Sequence, residues 1–407
     1  MKKSVLKEYA KLIVNVGANV QKGQEVEITA EMDQPEFVSY VVEACYKAGA
    51  KKVHVDWKDD IMTKYHVKYQ KLNVLSKVEE WEEAKLQHMV DTLPCRIYIM
   101  SEDPDGLKNV NQNKYSKALA ARGKITKPYR LAINNKHQWC IAAAPGEKWA
   151  KKVFPHLSKK QAVEKLWETI LFCARADGDA VAKWEKHNAD LEARATFLND
   201  QHFRKLHFKA SNGTDLTVGL MEQGIFGAAC DVTLSGVPYT PNMPTEEVFT
   251  TPKKGEADGI VYSSMPLSYQ GQLIDNFCLE FKDGKVVNAT AQQNEALLKN
   301  MIAMDENAAY LGECAFVPKE SPIHQSGLIF YNTLFDENAA CHLALGMGFD
   351  MCVKDFDKYS REELQEMGVN DSVIHVDFMI GTEDMDITGI TADGEEVAIF
   401  RNGTWAF

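Results

Sequence analysis

The sequence predicts an α/β N-terminal domain with an open, largely parallel sheet, followed by an α+β, barrel-like C-terminal domain. Three observations carry this reading. The first half alternates strand-like and helix-like stretches, the pattern that puts crossover helices between parallel strands. After about residue 200 the text turns to hairpins and strands, with helices only as interruptions. The chain has 407 residues, more than one hydrophobic core usually serves. The expected division is 1–200 and 201–407.

The elements follow in order. "MKKSVLKEYAKLIVNVG" sets Leu6, Tyr9, Leu12, Ile13 and Val16 at helical spacing, and "GQEVEITA" alternates through Val26 and Ile28 as a strand. Pro35 to Lys47 reads as a helix with Phe37, Tyr40, Val41, Ala44 and Cys45 on one side, ended by Gly49. "KKVHVDW", "CRIYIM" and "WCIAAAP" read as further strands. Ser158 and Gln161 form a capping box ahead of "AVEKLWETILFCA", and Asp177-Gly178-Asp179 breaks the helical stretch that runs from Ser158 to about Phe197. "LHFKASNGTDLTVGL" is a hairpin around Asn212-Gly213. Strands follow at "GIVYSS", "FCLEFKDGKVVNATA", "SVIHVDFMIGT" and "MDITGITADGEEVAIFRNGTW", with helices expected near 293–303 and 336–345.

Composition narrows the function. The formal net charge of -12 argues against nucleic acid or an anionic membrane as the main partner. Nothing approaches 18 uninterrupted apolar residues, so no spanning helix is expected, and the N-terminus lacks the apolar core and cleavage site of a signal peptide. The nine cysteines are scattered without a C-x-x-C pair, which reads as free thiols in a reducing cytoplasm. Glycine-rich phosphate loops, a G-x-S-x-G elbow and an H-E-x-x-H helix are all missing.

What remains is a set of polar residues in apolar runs. In "SVIHVDFMIGT", His375 and Asp377 are two apart and share one strand face, with Ile374, Val376 and Phe378 on the other. "LFDENAACHLALGMGF" sets Asp336, Glu337 and His342 among small and apolar residues. "PYTPNMPTEEVFTTP" carries Glu246 and Glu247, and "AAYLGECAFVP" isolates Glu313. Buried carboxylates and imidazoles are costly unless paired or metal-bound. Without a thiolate among them they suit Zn²⁺, Co²⁺ or Mn²⁺, and five or six ligands suit two ions rather than one.

The blocks "NMPTEEVFTTP", "YLGECAFVP", "SPIHQSGLIFYNTLFDENAACHLALG" and "HVDFMIGT", in this order, resemble those of the thermophilic-type aminopeptidase family (M29, the aminopeptidase T/S group). "LKEYAKLIVNVGANVQKGQEVEI", "CYKAGAKKVHVDW" and "SNGTDLTVGL" extend the resemblance over the whole chain. It implies a dimeric, two-domain metallo-exopeptidase that uses two divalent ions to release N-terminal residues from short peptides with a free N-terminus. It makes Glu247, Glu313, His342, His375 and Asp377 the metal ligands. Glu337 is a sixth ligand or a group supporting the others, and also reads as an acidic residue at a helix N-terminus with Asp336 as cap. Glu246 competes with Glu247 for the ligand role and is otherwise the general base or a salt-bridge residue. His324 reads as a loop residue, and Asp384 and Asp386 as turn formers.

One position departs from the family pattern. Where many members have a tyrosine after H-x-A-L-G-x-x, this chain has Phe349, which cannot donate a hydrogen bond. Tyr331 or Tyr359 would have to supply that contact. The alternatives are a catalytically weak, metal-binding homologue that binds peptides, and a dinuclear amidohydrolase acting on a non-peptide amide.

Overall fold

Four short strand-forming runs begin the fold, and buried residues alternate along Glu25–Glu31 and Cys95–Met100. In the computed structural model, which describes residues 1–407, the strands Glu25–Glu31, Lys52–Lys58, Cys95–Met100 and Trp139–Ala143 form one sheet. Glu25–Glu31 lies between Lys52–Lys58 and Cys95–Met100, Trp139–Ala143 takes the far edge, and every pairing is parallel. Val26, Ile28 and Ala30 are buried while Glu25, Glu27 and Glu31 are partly exposed, which is the period-two pattern of a strand with one apolar face. The helix Pro35–Ala48 starts on a proline and buries Phe37, Val38, Val41, Ala44 and Cys45. Phe37 meets Tyr9 of the helix Lys3–Leu12 and Trp167 of the helix Lys159–Cys173, with ring centroids 5.5 and 5.2 Å away. Each such buried ring contributes about 1.5–3 kcal/mol. The capping box at Ser158 and Gln161 forms as expected, and the helical stretch breaks between Cys173 and Ala180.

The chain divides into two compact units, Met1–Glu185 with Cys230–Pro244, and Lys186–Ala229 with Thr245–Phe407. This division differs from the expected 200/201 in two ways. It falls inside the helix Ala180–Asp200, and it returns a later segment to the first unit. The physical reason is edge pairing: Ile141 donates its N–H to Pro241 O at 2.7 Å, and Met243 donates to Ile141 O at 2.9 Å. Residues 241–243 therefore extend the exposed edge of the parallel sheet.

The second unit is built from antiparallel sheets. The hairpin Phe203–Lys209 and Asp215–Leu220 turns at Asn212-Gly213, where Gly213 has φ +104° and packs against the Tyr262 ring. These strands sit in a nine-stranded sheet whose pairing path runs from Leu267–Tyr269 to Thr404–Trp405. That path is open, so the pairing gives an open sheet where the sequence suggested a barrel-like domain. A separate four-stranded sheet is ordered His375–Met379, His342–Gly346, Leu311–Phe316, Val248–Thr250, with every pairing antiparallel. Both sheets contribute to one core, including Phe208, Phe277, Phe316, Leu343 and Phe378.

The expected helix near 336–345 is corrected. A short helix, Thr333–Asp336, and a single 3₁₀ turn, Glu337–Ala339, come first, and His342–Gly346 is a strand. All five residues of that strand are buried: it is paired on both edges, Leu343 and Leu345 face the core, and His342 and Ala344 face the opposite, covered side. A short strand buried on both faces is apolar throughout and loses the alternation that would identify it. The helix expected near 293–303 is present at Glu295–Ile302.

Candidate metal centre

The four-stranded sheet has two chemically different faces, and register assigns each residue to one of them. Ala344 lies opposite Asp377 on one side and Glu313 on the other. His342 lies opposite Ala315, which in turn lies opposite Phe249. Directly opposed residues share a face, as do residues two apart. One face therefore presents Glu313, His342, His375 and Asp377, and Glu247, two residues before Phe249, continues it. The other face presents Val248, Cys314, Phe316, Leu343, Leu345 and Phe378, all in the core. The small side chain of Ala344 leaves the space between Glu313 and Asp377 open.

The polar atoms converge on that space. His342 Nε2 is 3.1 Å from Glu247 Oε2. His375 Nε2 is 3.1 Å from Glu313 Oε2 and 3.3 Å from Asp377 Oδ1. Two ligand groups result, Glu247–Glu313–His342 and Glu313–His375–Asp377, each with its donor atoms within 4.8 Å of one another. Glu313 belongs to both.

Each imidazole is held from behind. His342 Nδ1 is 3.2 Å from Ala340 O, and His375 Nδ1 is 2.7 Å from Met347 O. A carbonyl only accepts, so Nδ1 carries the proton in both rings and donates it, and Nε2 faces the carboxylates. This is the arrangement by which a backbone carbonyl fixes the tautomer of a metal-ligating histidine. Gly312, at a register shift in its strand, lets Met347 O approach: a Cβ there would lie 2.2 Å from that oxygen.

Burial and mutual charge shift each of Glu313, His342, His375 and Asp377. Burial, then repulsion from Glu247 and Asp377, pushes the Glu313 carboxyl up to about 7 against the pull of His375. Burial opposes charge on His342, but Glu247, Glu313 and Asp377 outweigh it and push the imidazole up to about 10. His375 is likewise raised well above its usual range, with burial outweighed by Asp377 and Glu313. Burial works against the charged form of Asp377, yet His375 brings it down to about 2. Asp377 Oδ1 is buried with no aligned hydrogen-bond partner. Carboxylate and imidazole donors with an orphaned oxygen fit a divalent cation of the Zn²⁺, Co²⁺ or Mn²⁺ type.

The remaining predicted residues separate. Glu337 is half-buried and faces the same cluster; burial, then Asp377 and Glu247, raise its carboxyl well above the usual range. It lies outside the two tight ligand groups. Glu246 is buried but turned elsewhere, with Oε2 4.0 Å from His187 Nε2. Asp336 accepts the N–H groups of Phe330 and Asn332 at 2.7 and 3.0 Å and so shapes the preceding loop. His324 Nδ1 donates to Ala339 O at 3.1 Å, and Asp384 closes its turn by accepting from Thr382 and Ser211. Phe349 packs its ring 4.8 Å from that of His375 and 5.6 Å from that of Phe249. Tyr359 packs instead against the small cluster of Met221, Val353, Leu364 and Val369.

Sequence reasoning missed Asn338 and His187, which hold the backbone before Glu247, and the two carbonyls behind the imidazoles. Asn338 had a visible signal as a polar residue directly after Glu337 and ahead of an apolar run. His187 had none, because it sits in a charged helix. Glu27, His54 and Asp56 of the first unit also come together, but Lys85 already pairs with both carboxylates.

Residues 2–405 match the family described as "Thermophilic metalloprotease (M29)". Aminopeptidase AmpS of Bacillus subtilis (strain 168) is 43% identical over 404 residues, covering 99% of this chain and 98% of its own length. Aminopeptidase PepS of Streptococcus thermophilus is 41% identical over 406 residues, with 99% and 98% covered. The solved structure of wild-type AmpT from Thermus thermophilus is 34% identical, with a TM-score of 0.90 over 100% of both chains. The mixed α/β fold matches that of AmpT. No helix is long and apolar enough to cross a membrane.

Proposed function

The chain belongs to the thermophilic metalloprotease (M29) family, and from that premise we propose that it is a dinuclear aminopeptidase removing the N-terminal residue from short peptides. The observation that carries the two-ion reading is the shared vertex at Glu313, which belongs to both three-residue ligand groups. In this reading Glu247 and His342 would hold one ion, His375 and Asp377 would hold the other, and Glu313 would serve both. Charge supports the number: Glu247, Glu313, Glu337 and Asp377 offer four carboxylates, and two divalent ions balance them. Ions so held supply a water of lowered pKa and stabilisation of the oxyanion formed at the peptide carbonyl. Zinc, cobalt and manganese all suit the donor set.

The chain's own residues then divide the work. Ala340 and Met347 carbonyls keep both Nε2 atoms aimed at the cluster. Of the two candidate bases, Glu337 faces the ligands while Glu246 faces His187, which favours Glu337. Its carboxylate takes a proton from the attacking water and returns it to the departing amine as the C–N bond breaks. Acidic groups at the cluster suit a substrate with a free, positively charged α-amine. The nine free cysteines are in keeping with a reducing cytoplasm, and a homodimer is the assembly the resemblance implies.

A second reading has one observation in its favour. The Phe349 ring lies over His375 at the position where the resemblance implies a tyrosine, so a hydrogen-bond donor is missing there. That favours a catalytically weak homologue that binds metal and peptide. Chelation followed by reloading with Co²⁺, Zn²⁺ or Mn²⁺, with dipeptides and Xaa-p-nitroanilides as substrates, separates the readings. Metal-restored release supports the aminopeptidase. Peptide binding without release, with metal confirmed in place, overturns it in favour of the weak homologue.

A further inference from the structure

The residues just before the strand Val248–Thr250 have no sheet ladder to hold them, yet Glu247 must be placed accurately. Two side chains hold that backbone. His187 Nε2 lies 2.7 Å from Thr245 O, and the Glu246 N–H donates to Asn338 Oδ1 at 2.7 Å. Asn338 is fully buried in the 3₁₀ turn Glu337–Ala339. Its Nδ2 donates to Leu334 O at 2.9 Å and lies 3.5 Å from Glu337 Oε1. Its own carbonyl accepts from the buried hydroxyl of Ser321 at 2.6 Å. One carboxamide thus joins the turn that carries Glu337 to the segment that carries Glu247, with its acceptor spent on one and its donor on the other.

We propose that Asn338 is a positioning residue that sets Glu247 against His342, and through them the ion held by that pair. This inference rests on the two-ion reading above. Apart from Glu337 Oε1 at 3.5 Å, the side chain is aimed at backbone, at Glu246 N and Leu334 O, and it has no bond to His342 or to the Glu313–His375–Asp377 group. The latter residues are fixed by ladder pairing and by Met347 O, none of which passes through Asn338. Losing the carboxamide therefore acts on one ion and spares the other. An orphaned Glu246 N–H would also be left in a buried place, where such a group is costly.

The test is a metal titration of the full chain with Co²⁺, followed by absorption spectroscopy, on the parent, Asn338→Ala and Asn338→Asp. Supporting groups behind metal ligands typically change affinity 10–100-fold when removed. Asn338→Ala is expected to weaken one of two ions by roughly that factor and change its cobalt spectrum, leaving the other ion at parent affinity. Asn338→Asp keeps an oxygen where the Glu246 N–H points but gives up the donor to Leu334 O, so it recovers part of the affinity that alanine loses. If alanine fails to fold, Asn338→Ser, polar but too short to reach Glu246, carries the same expectation. Equal weakening of both ions, no weakening, or an aspartate no better than alanine would overturn the proposal. A parent that binds no metal would instead overturn the two-ion reading, so the two failures are distinguishable.

Discussion

Gly312→Ala perturbs the site without touching a ligand. The new Cβ would lie 2.2 Å from Met347 O and 2.6 Å from Gly346 O, both backbone atoms. A carbon rests about 3.3–3.6 Å from a carbonyl oxygen, so one strand must give way by about 1 Å. Met347 O accepts from His375 Nδ1 at 2.7 Å, and a shift of that size takes the pair past the roughly 3.2 Å limit of a good hydrogen bond. Overpacking alone costs about 1–3 kcal/mol, and loss of the carbonyl behind the imidazole weakens metal binding by about 10–100-fold. Thermal unfolding of the metal-free protein reads the first effect, and competition with a chromophoric chelator reads the second. The expected result is a lower melting temperature together with weakened binding of the ion at His375. Parent-like affinity in a protein destabilised by that amount would refute the idea that Met347 O orients His375 for metal.

Three further outcomes follow from the same geometry. Both imidazoles are raised in the metal-free protein, His342 to about 10, so both are protonated at pH 7 and must release that proton to coordinate through Nε2. Calorimetric metal titrations in buffers of different ionisation enthalpy should show at least about two protons released per chain at pH 7, with binding tightening as pH rises. The sign for the metal-free fold is opposite: a raised histidine stabilises it fully below its unfolded value and loses that contribution as pH rises through about 10. Glu337→Gln should lower kcat by about 10²–10⁴-fold with both ions retained, and loss of an ion by elemental analysis would make Glu337 a ligand instead of the base. Phe349→Tyr should raise kcat on a dipeptide if a missing donor limits turnover, and unchanged kcat would remove Phe349 as the reason for any weak activity.

Local pattern made much of this legible. Helix and strand periods, the Ser158 capping box and the Asn212-Gly213 turn depend on neighbours a few residues apart, and the structure has them where the text put them. His375 and Asp377 share a face for the same local reason. The choice between Glu246 and Glu247 needed the register with Phe249 and Ala315, which only pairing across strands supplies. "AACHLALG" looked helical because a short strand buried on both faces has no alternation to show. The return of Cys230–Pro244 to the first unit depends on edge pairing with Ile141, about a hundred residues away in sequence, and nothing local encodes it. The carbonyls of Ala340 and Met347 were invisible because every residue has a carbonyl.

The central claim is that Glu313 is shared by two ions. Elemental analysis of the purified chain and of Glu313→Ala, after reloading and removal of excess metal, tests it most directly. The account predicts about two ions per parent chain and loss of both from tight binding in the variant, because each ligand group loses a member. One ion in the parent, or two retained by Glu313→Ala, would contradict it.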